Sequence, residues 1–162
     1  MFIEGSILKD IGSYKDKVIS ALVNSHDICE LMLNKETFTD DEAEHLIHRQ
    51  IFPYLYADDT QDETLSYICL EADIPYIPTN TVKSVKLTVW VYCHKSIMGY
   101  AKNRYSGTRV DILSDMVERE LRESNRFGIG KLKLESAIHF FPNNKFYGKE
   151  LIYSMPDFKI GR

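Results

Sequence analysis

The thirteen residues from Val82 to His94, VKSVKLTVWVYCH, alternate with a period of two. Val85, Leu87, Val89, Val91 and Cys93 share one face, and Ser84, Lys86, Thr88, Trp90 and Tyr92 share the other. Only extended backbone places residues i, i+2 and i+4 on one side, so this is the clearest strand of the chain. Its second face is polar at one end and aromatic at the other. A strand facing water has no need of Trp90 and Tyr92, so a neighbour is expected to cover that end.

Three further segments share the same period. In YICLEADI, Ile68, Leu70, Ala72 and Ile74 alternate with Tyr67, Cys69, Glu71 and Asp73. From Lys131 to Phe141, Leu132, Leu134, Ser136, Ile138 and Phe140 alternate with Lys131, Lys133, Glu135, Ala137 and His139. From Phe146 to Met155, Tyr147, Lys149, Leu151, Tyr153 and Met155 fall on one side. The PNNK turn between the last two predicts a hairpin.

The rest of the ordered pattern is helical. Lys15 to Leu33 carries an apolar stripe through Val18, Leu22 and Cys29–Met32, with Asn34 as its stop. Thr39 caps a second helix predicted to run to about Ile51, limited by Pro53. Thr108 and Asp111 open a third, whose stripe is Val110, Leu113, Val117 and Leu121. Asp115–Arg119 and Glu118–Arg122 support it at i,i+4. The order is α-α-β-β-α-β-β, with a loose αββ duplication. It predicts an α+β fold with a mostly antiparallel sheet of about four strands packed against helices on one face. The 162 residues suit a single domain, with a helical part over 1–56 and an α+β core over 67–158.

Composition narrows the function classes. The net charge of −4 argues against a general binder of phosphate backbone, though a local basic patch remains open. Aromatics make up 12%, ten of them tyrosines, which suits broad protein contacts. Cys29, Cys69 and Cys93 are widely spaced with no CxxC, as expected of buried free thiols in a reducing compartment. The opening MFIEGSILKDIG has an early glutamate and no long apolar run, unlike a signal peptide. No stretch reaches the roughly 20 apolar residues of a bilayer span, so a soluble protein of the cytosol is expected, with no membrane partner.

No catalytic constellation stands out. Ser25-His26-Asp27 has hydrolase residue types, but adjacent helical residues point about 100° apart and cannot face one another. His45 and His48, with Glu44 beside them, could share a helix face, yet no third ligand accompanies them. Glu71 and Asp73, followed by Lys83 and Lys86, have the residue types of a metal-dependent nuclease without its paired ligands. Gly128-Ile-Gly130 lacks a phosphate-loop context, and Gly107-Thr108 reads as a plain helix cap. Lys95, Lys102, Arg104 and Arg109, interleaved with Tyr100 and Tyr105, could touch nucleic acid. At this net charge a protein or lumen contact is the better reading. No enzyme activity, cofactor or metal is expected.

VKLTVWVYCH, the RVDILSDMVERELRES helix and the closing FYGKELIYSMPDF together resemble the tail terminator and tail completion proteins of long-tailed bacteriophages. The likeness covers Tyr67 to Phe158 and places Arg109, Asp111, Gly148 and Asp157 at family-like positions. The two-helix N-terminus is longer than in the simplest members. The resemblance implies a virion protein of the neck, assembled in the host cytoplasm. Six copies would form a ring at the head-proximal end of the tail tube. Partners would be further copies of the chain, the tail tube protein and the head–tail connector, with DNA possible in the channel. A closed ring needs two different complementary patches per subunit. Candidate contact residues are Trp90, Tyr92, Tyr147 and Tyr153, with Lys102 and Arg104 facing a neighbour or the DNA channel. The alternatives are a head-completion or adaptor protein at the same neck, a metal-dependent nuclease using Glu71 and Asp73, and a small regulatory binding module.

Overall fold

Ser25 divides the first helical stretch in two. In the computed structural model, which describes residues 7–58, 60–75, 82–102, 104–122 and 131–159, helix α1 spans Ile7–Val23 and α2 spans His26–Leu33. Ser25 is extended between them, and its Oγ accepts a hydrogen bond from the Ile28 amide at 3.4 Å. A hydroxyl that can cap a new helix is what lets the chain turn here. Asn34 ends α2 in the left-handed region, at φ 61°, with its amide on the Glu30 carbonyl.

The second predicted helix is much shorter than its pattern suggested. Helix α3 covers only Asp40–Glu44, opened by a full capping box between Thr39 and Glu42. Beyond it the chain coils through turns, with His48 at φ 65°, and Ile51–Phe52 form strand β1. The reason is burial on two sides at once. Ile51 joins the main core, while Phe52 joins an aromatic cluster on the other side of the sheet. Neighbouring residues of a strand point to opposite faces, and those of a helix cannot. Gln50 fixes the turn, its Nε2 donating to the carbonyls of Met32 and Ser66.

Strand β2 spans Ser66–Asp73 and β3 spans Val82–His94. Helix α4 follows at Arg109–Leu121, and β4 (Lys133–Phe140) and β5 (Phe146–Lys159) form the closing hairpin. The sheet has five strands in the order β1-β2-β3-β5-β4. Only β1 and β2 are parallel. The α+β class and the mostly antiparallel sheet are as the sequence predicts, with β1 as the added strand.

One face of the sheet carries the main core. Ile68, Leu70, Leu87, Val89, Val91, Leu151 and Tyr153 pack against Val18 and Leu22 of α1, Ile28 of α2 and Leu113 and Val117 of α4. Each fully buried aliphatic side chain there stabilises the fold by about 1.5–3 kcal/mol. The helical N-terminal part therefore shares its core with the sheet.

The opposite face holds a smaller cluster of Phe52, Tyr67, Cys69, Tyr92 and Phe146, with Trp90 and Phe140 at its margin. The segment after β1 covers it. Tyr56 stacks on Phe52 at 4.4 Å, and its carbonyl accepts the Tyr92 hydroxyl. The neighbour expected over the aromatic end of β3 is thus, in this subunit, the chain's own Tyr56.

Gly148 sits in the middle of a cross-strand row, opposite Tyr92 on β3 and Phe140 on β4. A Cβ there would lie 2.2 Å from the Val91 carbonyl oxygen and 2.5 Å from Tyr92 Cβ. The rings of Tyr92 and Phe140 approach to 6.2 Å from either side of it. Aromatic neighbours filling the space over a strand glycine are a known way to recover its missing packing.

The alternation of β4 breaks at one point. Leu134 opposes Tyr153 and Ser136 opposes Ile152, so Glu135 is an extra, bulged residue. Leu134 therefore lies on the opposite face from Ser136, Ile138 and Phe140, contrary to simple alternation.

Candidate assembly surface

The two edges of the sheet are treated differently. At the β1 side, Ile47 bridges to Ile51, and Lys15 reaches across from α1 to the Pro53 carbonyl at 3.1 Å and to Glu71 at 2.8 Å. Glu71 also accepts the Ala72 amide. At the other side, among the described residues, β4 pairs only with β5, and six of its eight residues are exposed. Leu134, Ile138 and the adjacent Phe141 are 37%, 54% and 57% exposed. Among the described residues no further strand lies beside β4, and this edge carries large apolar side chains. Such an edge is a template for another chain.

The expected contact residues separate into two groups. Tyr92 and Tyr153 are fully buried within the subunit, which removes them from any surface. Tyr92 OH lies 3.7 Å from Cys69 Sγ, and its ring stacks on Tyr67 at 5.1 Å. Tyr153 faces the helices, bonded to Glu118. Burial drives both phenols far above their ordinary range. Trp90 and Tyr147 are half-buried and do reach the surface. Trp90 Nε1 donates to Glu150 Oε2 at 2.9 Å, and the Tyr147 ring meets Phe141 edge-on at 5.4 Å. Lys95 sits 5.8 Å from the Phe141 ring centre.

Lys102 and Arg104 point at the chain's own acids. Lys102 Nζ lies 2.9 Å from Glu36 and 3.1 Å from Glu30, and Arg104 lies 3.6 Å from Asp27 and over the Tyr105 ring. With His26 and Thr37 they line a cleft of about 620 Å³. The loop's cations therefore meet the acidic face of α2, where a phosphate would have to displace a carboxylate.

Arg109 is the loop cation that spacing alone misplaces. It is buried, and its guanidinium donates to the carbonyls of Ile97 at 2.7 Å, Gly99 at 3.0 Å and Leu31 at 3.3 Å. It also lies over the Tyr100 ring. It ties the end of α2, the loop and the start of α4 together. Burial lowers its pKa from the usual arginine value. Asp111 completes the cap of α4 with Thr108 and holds Lys149 at 2.6 Å. That lysine holds its carboxyl below the ordinary carboxylate range. Gly107, at φ 105°, turns the chain into this cap.

The remaining candidates do not converge. Ser25 is spent as a cap, and His26 turns to Glu30 at 3.4 Å rather than to Ser25 or Asp27. His45 ends α3 and His48 lies beyond it in a turn, so they share no helix face. Glu71 is held by Lys15, and Asp73 lies opposite Lys86 in the β2–β3 register. The Lys83 side chain, Gly128 and Gly130 lie outside the described residues. Among the described residues, no three His, Cys, Asp or Glu side chains are placed to hold a metal. No described helix is long and apolar enough to cross a membrane.

Neither the curated proteins nor the solved structures contain a match. A family pattern does match, over residues 25–155. The chain belongs to the YomW family. YomW is a phage-type family. The matched span runs from the cap of α2 into the last third of β5, so β4, most of β5 and the carbonyl-binding Arg109 fall inside it. It also takes in α2 and α3.

Proposed function

We propose that this YomW-family chain is a structural protein of the phage virion, of the tail terminator or tail completion class. In this reading, copies form a ring at the head-proximal end of the tail tube and join it to the head connector. The observation that carries it is the β4–β5 hairpin, which leaves Leu134, Ile138 and Phe141 exposed at a sheet edge that no other described strand pairs. Apolar side chains on an open edge are costly in an isolated subunit and useful in an assembled one. Membership in a phage-type family supports the setting. The order of the elements over Tyr67–Phe158 supports the class.

The test is molar mass by light scattering over a concentration series, with and without purified tail tubes. The expected result is a ring-sized species, or rings formed on tubes. A chain that ignores tubes at every concentration would overturn the terminator reading.

A further inference from the structure

We infer that copies of the chain join head to tail, β4 of one copy docking on Tyr54–Tyr56 and the acids Asp58, Asp62 and Glu63 of the next. The inference rests on the assembly reading and names the partner surface of the same hairpin.

Two exposed apolar strips stand out among the described residues. The first is the edge strand β4, which carries Ile138 on one face and Leu134 on the other. The second follows β1 and leads over the aromatic face, where Tyr54, Leu55 and Tyr56 are 47%, 40% and 38% exposed. Three consecutive large apolar residues at that exposure form a patch rather than a scatter. The segment is also firmly placed. Tyr56 is held by Phe52 and Tyr92, and Asp58 receives Asn143 through its carbonyl at 2.9 Å. A partner would meet a preformed surface, without an ordering cost.

Charge decides which strip meets which. Beside the apolar residues of β4 stand exposed Lys131 and Lys133, against one acid, Glu135. Beside Tyr54–Tyr56 stand exposed Asp58, Asp62 and Glu63, with Lys145 4.0 Å from Asp62. Docking strip on strip of the same kind would set basic against basic or acidic against acidic. Docking one kind on the other sets apolar on apolar and base on acid. Direct strand addition at the β1 edge is already blocked by Ile47 and Lys15. The contact is therefore between different patches of two copies. Such contacts propagate, and they form a ring when the rotation between copies closes.

The signature of two different patches is complementation. Ile138→Asp spoils one strip and Leu55→Asp the other, both at exposed positions whose change leaves the fold intact by circular dichroism. Light scattering of the wild-type full chain is expected to show mass rising with concentration. Each variant alone should associate about tenfold more weakly or worse. The two variants mixed should recover a species of two chains, because each keeps one intact strip. A wild-type chain that stays monomeric, a variant that assembles like wild type, or a mixture with no two-chain species would each overturn the contact. Tail-tube binding separates the two readings. Self-association of the predicted kind without tube binding leaves the contact standing and removes the terminator role. Tube binding by a chain that never self-associates does the reverse.

Discussion

Tyr153 donates its hydroxyl to Oε1 of Glu118 at 2.6 Å, across the seam between β5 and α4. The phenol is fully buried, while Glu118 keeps partial access to water and a second partner in Arg122 at 3.3 Å. Tyr153→Phe keeps the ring and removes the bond. It is expected to cost about 1.5–3 kcal/mol, the range for a hydrogen bond to a charged group. Urea denaturation would measure it. A variant as stable as wild type would mean that the bond only balances its own desolvation.

Gly148→Ala is expected to be costlier than its size suggests. The new methyl would sit 2.2 Å from the Val91 carbonyl oxygen, which is backbone and cannot swing away. Overpacking of this kind costs about 1–3 kcal/mol and sometimes more, and the upper end is expected here. Thermal unfolding checks it. Near-ultraviolet circular dichroism should also report a disturbed Tyr92–Phe140 pair.

Arg109→Lys tests the arginine that binds three carbonyls. An ammonium cannot reach the carbonyls of Leu31, Ile97 and Gly99 with the spread of a guanidinium. A loss of about 2–4 kcal/mol is expected from the abandoned bonds. Hydrogen exchange should rise first at the amides around Met98, because Arg109 also donates its own amide to the Met98 carbonyl.

The thiols predict the alkaline limb of stability. Burial pushes Cys29 up to about 11 and Cys93 up to about 12, from a free value of 9.0. A group raised on folding contributes its stability in full below the unfolded value and loses it as the pH rises through the folded one. Stability should therefore hold up to about pH 9 and fall on the way to 11–12. At pH 8 the thiols should resist a thiol reagent until denaturant is added. Fast labelling of the folded chain would contradict their burial.

Local grammar made much of the fold readable. The alternation of β3 fixed both of its faces, and the Thr108–Asp111 pair gave the start of α4. What stayed hidden depends on contacts distant in the chain. Glu135 looks like any other alternating residue until β5 lies beside it and leaves it unopposed. Ile51 and Phe52 read as the tail of a helix because nothing local reveals that they straddle a sheet. The tyrosines were hardest. Tyr92 and Tyr153 share a residue type and a strand pattern with Tyr147, and only packing shows that they lie inside. Lys102 and Arg104 looked like an open basic loop because their acids sit on α2 and just after it, 66 or more positions away.

The strand order β1-β2-β3-β5-β4 also has a consequence for how the chain is made. A ribosome releases β4 before β5, yet among the described strands β4 is hydrogen-bonded into the sheet through β5. During synthesis β4 must therefore wait without a partner, its apolar side chains in water, while β3 waits with one edge open. Closing the sheet is an event of the completed hairpin, and until then the nascent chain carries the surfaces most prone to mispairing.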